Sequence, residues 1–237
     1  MRIAIIQFPG SNCDWDAWHA CNDVLGVPSA RVWHKDALPA ETEAVIVPGG
    51  FSFGDYLRCG AIARFSPIMG DLQRFAGNGC PVLGICNGFQ ILCESGLLPG
   101  ALIRNNCLEF RCVNQSLSVE DSTESFCKAK LGERIYLPIA HGEGNYRLDE
   151  DSLDALESKG QVFLRYSGDP EEGPGHGNPN GSVNDIAGIR NETGNVFGMM
   201  PHPERVVEPY HPGLDGIPLL SAFLAPLLDA SPMELVS

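Results

Sequence analysis

The chain contains 237 residues, of which 43% are hydrophobic and 19% are charged. This composition excludes a disordered protein, and the length is sufficient to bury a large core. Acidic residues outnumber basic ones by 30 to 16, which gives a net charge of −14. Nucleic acids and anionic membranes are bound through basic patches, and the sequence has no sizeable lysine or arginine cluster. We therefore expect no nucleic acid and no membrane among the partners.

The first apolar segment of the chain is short and ends in a turn. Residues 2–8 are mostly apolar, and residues 9–12 have turn chemistry instead of a signal-peptide cleavage site. No segment approaches the run of ~18 apolar residues that marks a membrane-spanning helix. We therefore expect a cytoplasmic protein. The nine cysteines lack the C-x-x-C spacing of zinc and redox motifs, so most should be free, buried thiols.

The first hundred residues alternate between apolar strand patterns and helix patterns. Strands are predicted at residues 2–8, about 31–34, 44–47 and 81–85. Helices are predicted at residues 14–25, with Asn12 or Asp14 as the cap, at about 57–77, and at 87–94. Strand–helix–strand alternation indicates a parallel sheet with helices on both faces.

The middle of the chain changes character. Partial alternation over residues 108–119 indicates an antiparallel hairpin. Further strands are predicted at about 134–140, 161–166, 186–189 and 196–199, with a loop over 169–184 and a closing helix over 217–228. No internal repeat or linker is present, so residues 1–237 are predicted to form a single domain. The predicted fold class is α/β: a mostly parallel central sheet flanked by helices, with a smaller antiparallel β segment.

Residues 84–90, with the sequence Gly-Ile-Cys-Asn-Gly-Phe-Gln, hold the strongest candidate for a nucleophile. Cys86 directly follows a buried strand and precedes a helix, as the nucleophile does in a strand–turn–helix elbow. The flanking Gly84 and Gly88 suit such a sharp turn. The free N–H groups of the following helix favour a thiolate and a developing oxyanion. The alternative is a buried structural cysteine near a turn, and the two interpretations are equally favoured.

His202 is the strongest candidate for a base. It follows an apolar strand, two prolines restrict the backbone on either side of it, and Glu204 stands two residues further on. A cysteine nucleophile needs a base, and the base needs an orienting group. The alternative is a solvated histidine–glutamate pair on a loop.

Residues 47–55 hold a third candidate feature, because Gly49 and Gly50 follow a buried strand and allow close approach of a ligand. An ordinary turn is the alternative, and a phosphate-binding loop would need a lysine that is missing. Strand ends of a parallel sheet meet at one edge, where ligands bind. Cys86, Gly50 and His202 are therefore predicted to share a cleft.

These three segments together resemble class I glutamine amidotransferases, which have a flavodoxin-like fold. The resemblance is carried by residues 48–58, 84–90 and 200–205, and it covers nearly the whole chain. Residues 50–56 and 141–144 narrow the resemblance to one branch of the family, the glutaminase subunits of phosphoribosylformylglycinamidine synthases in purine biosynthesis, and residues 6–12 and 140–145 also resemble that branch. Phe53 departs from that pattern, in which a tyrosine is expected.

The resemblance implies a set of roles in the hydrolysis of L-glutamine to glutamate and ammonia through a thioester on Cys86. His202 would act as the base, and Glu204 would orient it. The remaining implied roles are an oxyanion hole at Gly50 and Asn87 and a glutamine site with Gln90, His141 and Gly142.

The resemblance also implies partners. The ammonia would pass to a larger, ATP-using synthetase subunit that converts formylglycinamide ribonucleotide to the amidine, and a small accessory subunit would join the complex. ATP and Mg²⁺ are expected on the synthetase, because this sequence has no Walker motif, and no cofactor is expected on this chain. No metal is assigned, since His141 and Glu143 lack a third ligand at metal spacing. Glutaminase activity of the isolated chain should be low.

Three alternatives remain open at this point. The chain could be a glutaminase of another amidotransferase pathway, using the same catalytic residues. It could be a non-catalytic regulatory subunit with a vestigial site, although the intact Cys86, His202 and Glu204 argue against that. A cysteine hydrolase or chaperone on a related fold is disfavoured by the Pro-His-Pro-Glu segment at residues 201–204.

Overall fold

The computed structural model describes residues 2–120 and 134–228. The strands in chain order are β1 (Ile3–Gln7), β2 (Ser29–Trp33), β3 (Ala44–Val47), β4 (Val82–Ile85), β5 (Ala101–Ile103), β6 (Arg111–Val119), β7 (Arg134–His141), β8 (Asn145–Arg147), β9 (Val162–Tyr166), β10 (Ile186–Arg190) and β11 (Val196–Met199). Nine of them form one sheet in the order β2-β1-β3-β4-β11-β10-β9-β6-β7, and β5 pairs with β8 in a second, two-stranded sheet.

One side of the large sheet is parallel. Strand β1 pairs in parallel with β2 and β3, β3 with β4, and β4 with β11. Strands β3, β4 and β11 are buried along their whole length, which agrees with their continuous apolar sequences, since a parallel sheet is covered on both faces. The predicted α/β fold with a mostly parallel sheet is therefore confirmed for this side.

The other side of the same sheet is antiparallel. Strands β11, β10, β9, β6 and β7 pair antiparallel in that order. The predicted antiparallel segment is thus confirmed, and it extends the central sheet. The prediction of a hairpin within residues 108–119 is wrong, because these residues supply only β6, whose partner β7 begins at Arg134. Hydrogen bonding to two neighbours keeps β6 continuous over nine residues.

The described residues form six α-helices. In chain order they are α1 (Asp14–His19), α2 (Ile68–Gly77), α3 (Asn87–Glu94), α4 (Glu150–Ser158), α5 (Gly216–Phe223) and α6 (Ala225–Leu228). Two of the six, α1 and α3, pack against the parallel side of the sheet, α1 against β1 and β2, and α3 against β3, β4 and β11. The predicted bounds of α3 are confirmed. None of the helices in residues 2–120 and 134–228 combines the length and the apolarity that crossing a membrane requires.

The predicted helix over residues 14–25 is only partly α-helical. It is regular to His19 and continues as a π-helical turn, Ala20–Val24. The predicted caps are wrong, because the first turn has no side-chain cap. Instead, the Asn12 Oδ1 accepts a hydrogen bond from the Cys13 thiol at 3.1 Å. The Asp14 Oδ2 forms a salt bridge with the Arg31 Nη1 at 2.8 Å.

The prediction of a long helix over residues 57–77 is also wrong. Leu57 has a φ of 73° and Gly60 a φ of 79°, which an α-helix does not allow. A Cβ at Gly60 would lie 2.8 Å from the Ile91 nitrogen, so the chain passes too close to α3 for a side chain. Only a short 3₁₀ turn and then α2 form here, and α2 begins directly after Pro67. The predicted closing helix over 217–228 is likewise divided into α5 and α6, with Leu224 between them.

Four loops follow the carboxyl ends of the parallel strands and meet at one edge of the sheet. The loop after β1 joins the loop after β3 through a bridge between Ser11 and Gly50. The Cys86 N–H, directly after β4, donates to the Met199 carbonyl at 2.7 Å, at the end of β11. This edge is where an open α/β sheet binds its ligands.

Candidate active site

Cys86 occupies the sharp turn between β4 and α3. Its backbone has a φ of 50° and a ψ of −106°, a conformation that L-residues rarely adopt and that costs about 1–3 kcal/mol. The side chain is 6% exposed, and the helix that begins at Asn87 presents its free N–H groups behind it. The predicted strand–turn–helix setting of Cys86 is therefore present.

Two glycines make this turn possible. A Cβ at Gly88 would overlap the Val47 carbonyl of β3, and a Cβ at Gly84 would lie 2.8 Å from the Gly88 backbone. Because neither position has room for a side chain, α3 packs directly against the strand ends. The thiol of Cys86 is thereby held at the edge of the sheet.

His202 and Glu204 form a buried pair in the loop after β11. The imidazole Nδ1 lies 2.6 Å from the Glu204 Oε1, and the two residues are 1% and 2% exposed. The backbone N–H of His202 donates to the Pro138 carbonyl at 2.8 Å, and Pro203 starts a 3₁₀ turn that carries Glu204. The alternative of a solvated pair is therefore excluded.

The burial and the charges around His202 act in opposite directions on its pKa. Burial favours the neutral ring, but the Glu204 carboxylate and the Cys86 sulfur favour the charged ring, and the pKa of His202 rises well above its usual value. The Nε2 has no hydrogen-bond partner among the described residues. Since Nδ1 is bonded to Glu204, Nε2 is the nitrogen available for proton transfer.

Gly49 allows the histidine and the cysteine to approach each other. A Cβ added at Gly49 would lie 2.8 Å from the His202 Cε1 and 3.4 Å from the Cys86 Cβ. The His202 and Cys86 side chains therefore approach each other across the backbone of Gly49, which has no side chain. Any larger residue at position 49 would displace one of them.

The two predicted oxyanion-hole residues lie on either side of Cys86. Gly50 has a φ of 144° and lines a cavity together with Cys86. Asn87 is the first residue of α3, and its side chain accepts the Ser52 N–H at 3.1 Å and donates to the Gln90 Oε1 at 2.9 Å. This side-chain bridge joins α3 to the loop that carries Gly50.

A cavity of ≈ 270 Å³ opens beside Cys86, which is close to the lower end of the usual range for small-molecule sites. The Gln90 side chain donates to the Glu143 carbonyl at 2.6 Å and so ties α3 to the opposite wall. The lining residues are Gly50, Phe51, Asp55, Cys59, Cys86, Gln90, Arg104, Leu108, Glu109, Phe110, Ala140, His141, Gly142 and Glu143.

Four charged side chains of this cavity were not assigned to the glutamine site from the sequence. Arg104 and Glu109 stand at its exposed mouth, and Asp55 and Glu143 lie further in. Burial and the nearby Glu143 raise the pKa of Asp55, and its Oδ1 has no hydrogen-bond partner among the described residues. The cavity thus offers one cationic group and several anionic groups, a combination that fits a zwitterionic ligand.

His141 and Gly142, which the sequence indicated for the substrate pocket, lie on the cavity wall. Asn105 supports this segment, since its side chain donates to the His141 carbonyl at 2.9 Å and accepts the Gly144 N–H at 3.0 Å. Burial, with a smaller contribution from His202, lowers the pKa of His141 to about 4. His141 is therefore neutral near pH 7.

A second cavity of ≈ 170 Å³ adjoins the first. It shares Gly50 and Cys86 with the first cavity, and His202, Cys13 and Arg205 also line it. The Arg205 Nη2 donates to the Cys13 sulfur at 3.0 Å. Cys13 was not singled out from the sequence, although its place after β1 put it at the same sheet edge.

The predicted residues are thus brought together in one region. Five of them line the first cavity, namely Cys86, Gly50, Gln90, His141 and Gly142. His202 lies on the second cavity, with Glu204 buried behind it. The arrangement combines a thiol, a carboxylate-bound imidazole and a helix N-terminus at one point, which are the parts needed for acyl transfer through a thioester.

Comparison with known proteins identifies the family. The sequence model of the CobB/CobQ-like glutamine amidotransferase domain matches residues 1–213. The "Phosphoribosylformylglycinamidine synthase subunit PurQ" of Salinibacter ruber (strain DSM 13855 / M31) is 54% identical over 216 residues, which are 91% of this chain and 92% of that protein. The subunit with the same name from Trichormus variabilis is 52% identical over 225 residues, covering 94% of this chain and 97% of that protein.

A solved structure agrees with this result. A chain in the structure of PurLQS from Thermotoga maritima has a TM-score of 0.81 and is 43% identical, with 95% of this chain and 98% of that chain covered. Sequence and structure therefore lead to the same family along nearly the full length. The chain belongs to the glutamine amidotransferases, and among them to the PurQ subunits of phosphoribosylformylglycinamidine synthase.

Proposed function

We propose that this chain is the glutaminase subunit of a phosphoribosylformylglycinamidine synthase. It hydrolyses L-glutamine to glutamate and ammonia, and it delivers the ammonia to a larger synthetase subunit in purine biosynthesis. The observation that carries the proposal is the strained Cys86 turn beside the buried pair of His202 and Glu204. The identity of 52–54% to PurQ subunits over more than nine-tenths of the chain supports the choice of pathway.

The reaction begins with attack of the Cys86 sulfur on the side-chain amide carbon of glutamine. The His202 Nε2 takes the thiol proton, and the carbonyl oxygen becomes an oxyanion that accepts the N–H groups of Gly50 and Asn87. Collapse of this intermediate breaks the C–N bond. The His202 imidazolium then gives its proton to the leaving nitrogen, which departs as ammonia, and a thioester remains.

A water molecule completes the cycle. It attacks the thioester while His202 takes one of its protons, and the C–S bond breaks to release glutamate. The proton on His202 returns to the sulfur. Glu204 keeps Nδ1 protonated and stabilises the imidazolium in both half-reactions, because its carboxylate lies 2.6 Å from that nitrogen.

The charged groups of the larger cavity suit the α-amino acid end of glutamine. Arg104 at the mouth pairs with the α-carboxylate, and the Asp55 carboxylate, which has an unpartnered oxygen among the described residues, accepts the α-ammonium group. The side-chain amide then reaches inward to Cys86, beside Gln90, His141 and Gly142. This orientation explains why a small cavity carries charges of both signs.

The rest of the complex supplies the chemistry that this chain lacks. The synthetase subunit binds ATP, Mg²⁺ and formylglycinamide ribonucleotide, and a small accessory subunit joins the assembly. Ammonia formed without an acceptor is wasted, so the isolated chain turns over glutamine slowly. Assembly and loading of the synthetase activate it.

Glutamate release from glutamine tests the proposal. Wild type and Cys86→Ala are each assayed alone and with the synthetase, the accessory subunit, ATP and formylglycinamide ribonucleotide. We expect turnover that requires both Cys86 and the loaded partners. If turnover depends on Cys86 but is the same with and without these partners, the proposed pathway is contradicted. The proposed thioester mechanism would still hold. No turnover under any condition would contradict the glutaminase assignment itself.

A further inference from the structure

His34 is a buried histidine that takes no part in the reaction described above. It follows β2 directly and is 4% exposed. Its Nδ1 lies 2.9 Å from the Ser66 Oγ, and its backbone N–H donates to the Gln7 carbonyl at 2.9 Å. These two hydrogen bonds fix both the position and the rotation of the imidazole.

The other nitrogen of this ring has no partner. The Nε2 of His34 is buried and makes no hydrogen bond to any of the described residues. A phenyl ring would fill the same space without burying an unpaired polar atom, which costs stability. A phenyl ring could not, however, be oriented by a hydrogen bond to Ser66. An imidazole at this position therefore indicates that the orientation of the ring matters.

Two aromatic side chains from different loops pack on the His34 ring. The Phe8 ring, directly after β1, has its centroid 5.9 Å from the centroid of the imidazole. The Phe53 ring, in the loop after β3, lies at 5.3 Å, and its plane is inclined by 87°. This is the edge-to-face arrangement that aromatic pairs favour. One histidine thus joins the loop after β1 to the loop after β3.

Phe53 is the inward anchor of the loop that carries the oxyanion donor Gly50. The neighbouring Phe51 side chain is 47% exposed, whereas Phe53 packs against the core. Phe53 also has a φ of 53°, a strained conformation that persists only where the surrounding contacts maintain it. The contact with His34 is therefore one of the interactions that hold this loop in its observed shape.

The same two loops meet again at Gly50. Ser11 and Gly50 form a bridge, and the Phe51 N–H donates to the Gly10 carbonyl at 3.0 Å. A Cβ at Gly50 would lie 2.8 Å from the Asn12 nitrogen, so the two loops are in close contact. The direction of the Gly50 N–H consequently depends on how the loop after β1 lies against the loop after β3.

We propose that His34 is a positioning residue for the oxyanion hole. It holds Phe8 and Phe53 against one fixed ring, and it thereby sets the pairing of the two loops that aims the Gly50 N–H at the amide oxygen of glutamine. His34 itself lines neither of the two cavities beside Cys86. The inference rests on the proposed function, because the oxyanion forms only when glutamine is attacked.

Steady-state kinetics of the assembled complex test the role of His34. Loss of one oxyanion donor costs about 10²–10³-fold in kcat, so His34→Ala should lower kcat by at least about tenfold and leave the KM for glutamine nearly unchanged. Phe53→Ala should act in the same way, and the double variant should be no slower than the slower single variant, since both changes remove one contact. His19→Ala, which removes a histidine outside both cavities, should keep the wild-type kcat.

Alkylation of Cys86 by iodoacetamide separates the oxyanion hole from the nucleophile. The thiolate attacks an sp³ carbon and iodide leaves, so no oxyanion forms. Peptide mass spectrometry should therefore show the wild-type alkylation rate in His34→Ala and in Phe53→Ala. An alkylation rate that falls as far as kcat would locate the damage at Cys86 and overturn the proposal.

Circular dichroism checks that the variants are folded. If His34→Ala does not fold, Ser66→Ala decides, because it removes only the hydroxyl that orients the imidazole, and it should also lower kcat at an unchanged alkylation rate. A folded variant with the wild-type kcat, or with a raised KM alone, overturns the proposal and leaves the glutaminase assignment intact. A wild-type complex that releases no glutamate overturns both.

Discussion

The Nδ1 of His202 and the Oε1 of Glu204 lie 2.6 Å apart, and both side chains are almost completely withdrawn from solvent. A buried carboxylate at this distance stabilises the imidazolium that forms when His202 takes a proton. We expect Glu204→Gln to lower glutamine turnover by about 10²–10⁴-fold, the range for general acid–base groups. The measurement is glutamate release by the assembled complex.

A matched control for this prediction is Glu208→Gln. Glu208 also pairs with a histidine, since its Oε1 lies 2.8 Å from the His19 Nε2, but that pair is outside both cavities. Glu208→Gln should therefore leave glutamine turnover unchanged. Equal effects of the two substitutions would show that the carboxylate of Glu204 has no special role.

The strained backbone at Cys86 predicts an unusual order of stability. Cys86→Gly should be more stable than Cys86→Ala by about 1 kcal/mol at mid-range and by at most about 2.5 kcal/mol, because glycine relieves backbone strain of about 1–3 kcal/mol and loses about 0.5–1 kcal/mol to the entropy of the unfolded chain. Urea denaturation measures both variants. An alanine variant as stable as the glycine variant would mean that the turn is not strained.

Gly88 should tolerate no side chain. Because a Cβ there overlaps the Val47 carbonyl, Gly88→Ala should lower the free energy of unfolding and abolish turnover by displacing α3 from the strand ends. Gly70→Ala in α2 is the control, since its Cβ meets nothing closer than 3.8 Å. That substitution should stabilise the protein by about 0.5–1 kcal/mol. Thermal denaturation of the two variants compares them.

The lowered pKa of His141 predicts a loss of stability in acid. The folded state holds His141 neutral down to a pKa of about 4, whereas the unfolded chain takes up the proton near pH 6.5. Stability should therefore fall as the pH drops from about 6.5 towards 4, by on the order of 3 kcal/mol for this group. Urea denaturation at pH 7 and pH 5 should show a steeper loss in wild type than in His141→Asn. If the free energy of unfolding falls equally with pH in the two proteins, His141 is not the cause of the loss.

Arg104 should affect the binding of glutamine more than the chemistry. A charged hydrogen bond is worth about 1.5–3 kcal/mol, so Arg104→Met should raise the KM for glutamine about tenfold or more and leave kcat nearly unchanged. Arg147→Met is the control, because Arg147 is exposed on β8 and lines neither of the two cavities. A fall in kcat with an unchanged KM would place Arg104 outside the glutamine site.

Much of the fold could be predicted because its strongest signals are local. The buried strands β3, β4 and β11 are continuous apolar runs, and α3 begins and ends where the sequence indicates. The predictions of secondary structure fail where tertiary contacts override the local sequence pattern. Residues 57–65 have helix-forming composition, but close packing of Gly60 on α3 and the positive φ of Leu57 prevent a helix.

The candidate site was predictable in part for a similar reason. Cys86 directly follows a buried strand, and Gly50 and His202 each stand three residues after one, so sequence position alone puts them at one edge of the sheet. Arg104 and Asp55 carry no such signal, because their place in the cavity depends on loops with irregular backbones. Cys13 does follow a strand, but nothing in its neighbourhood distinguishes it from the other cysteines of the chain.

Strand β11 lies between β4 and β10 in the sheet, although more than a hundred residues separate it from β4 in the chain. The nucleophile directly follows β4, and the base follows β11. During synthesis, which proceeds from the amino terminus, a ribosome-bound chain that has folded only as far as α4 contains the thiol without its base. A nascent or prematurely terminated chain that ends before residue 202 therefore lacks the base, and the catalytic pair is complete only after the last strand of the sheet has been made.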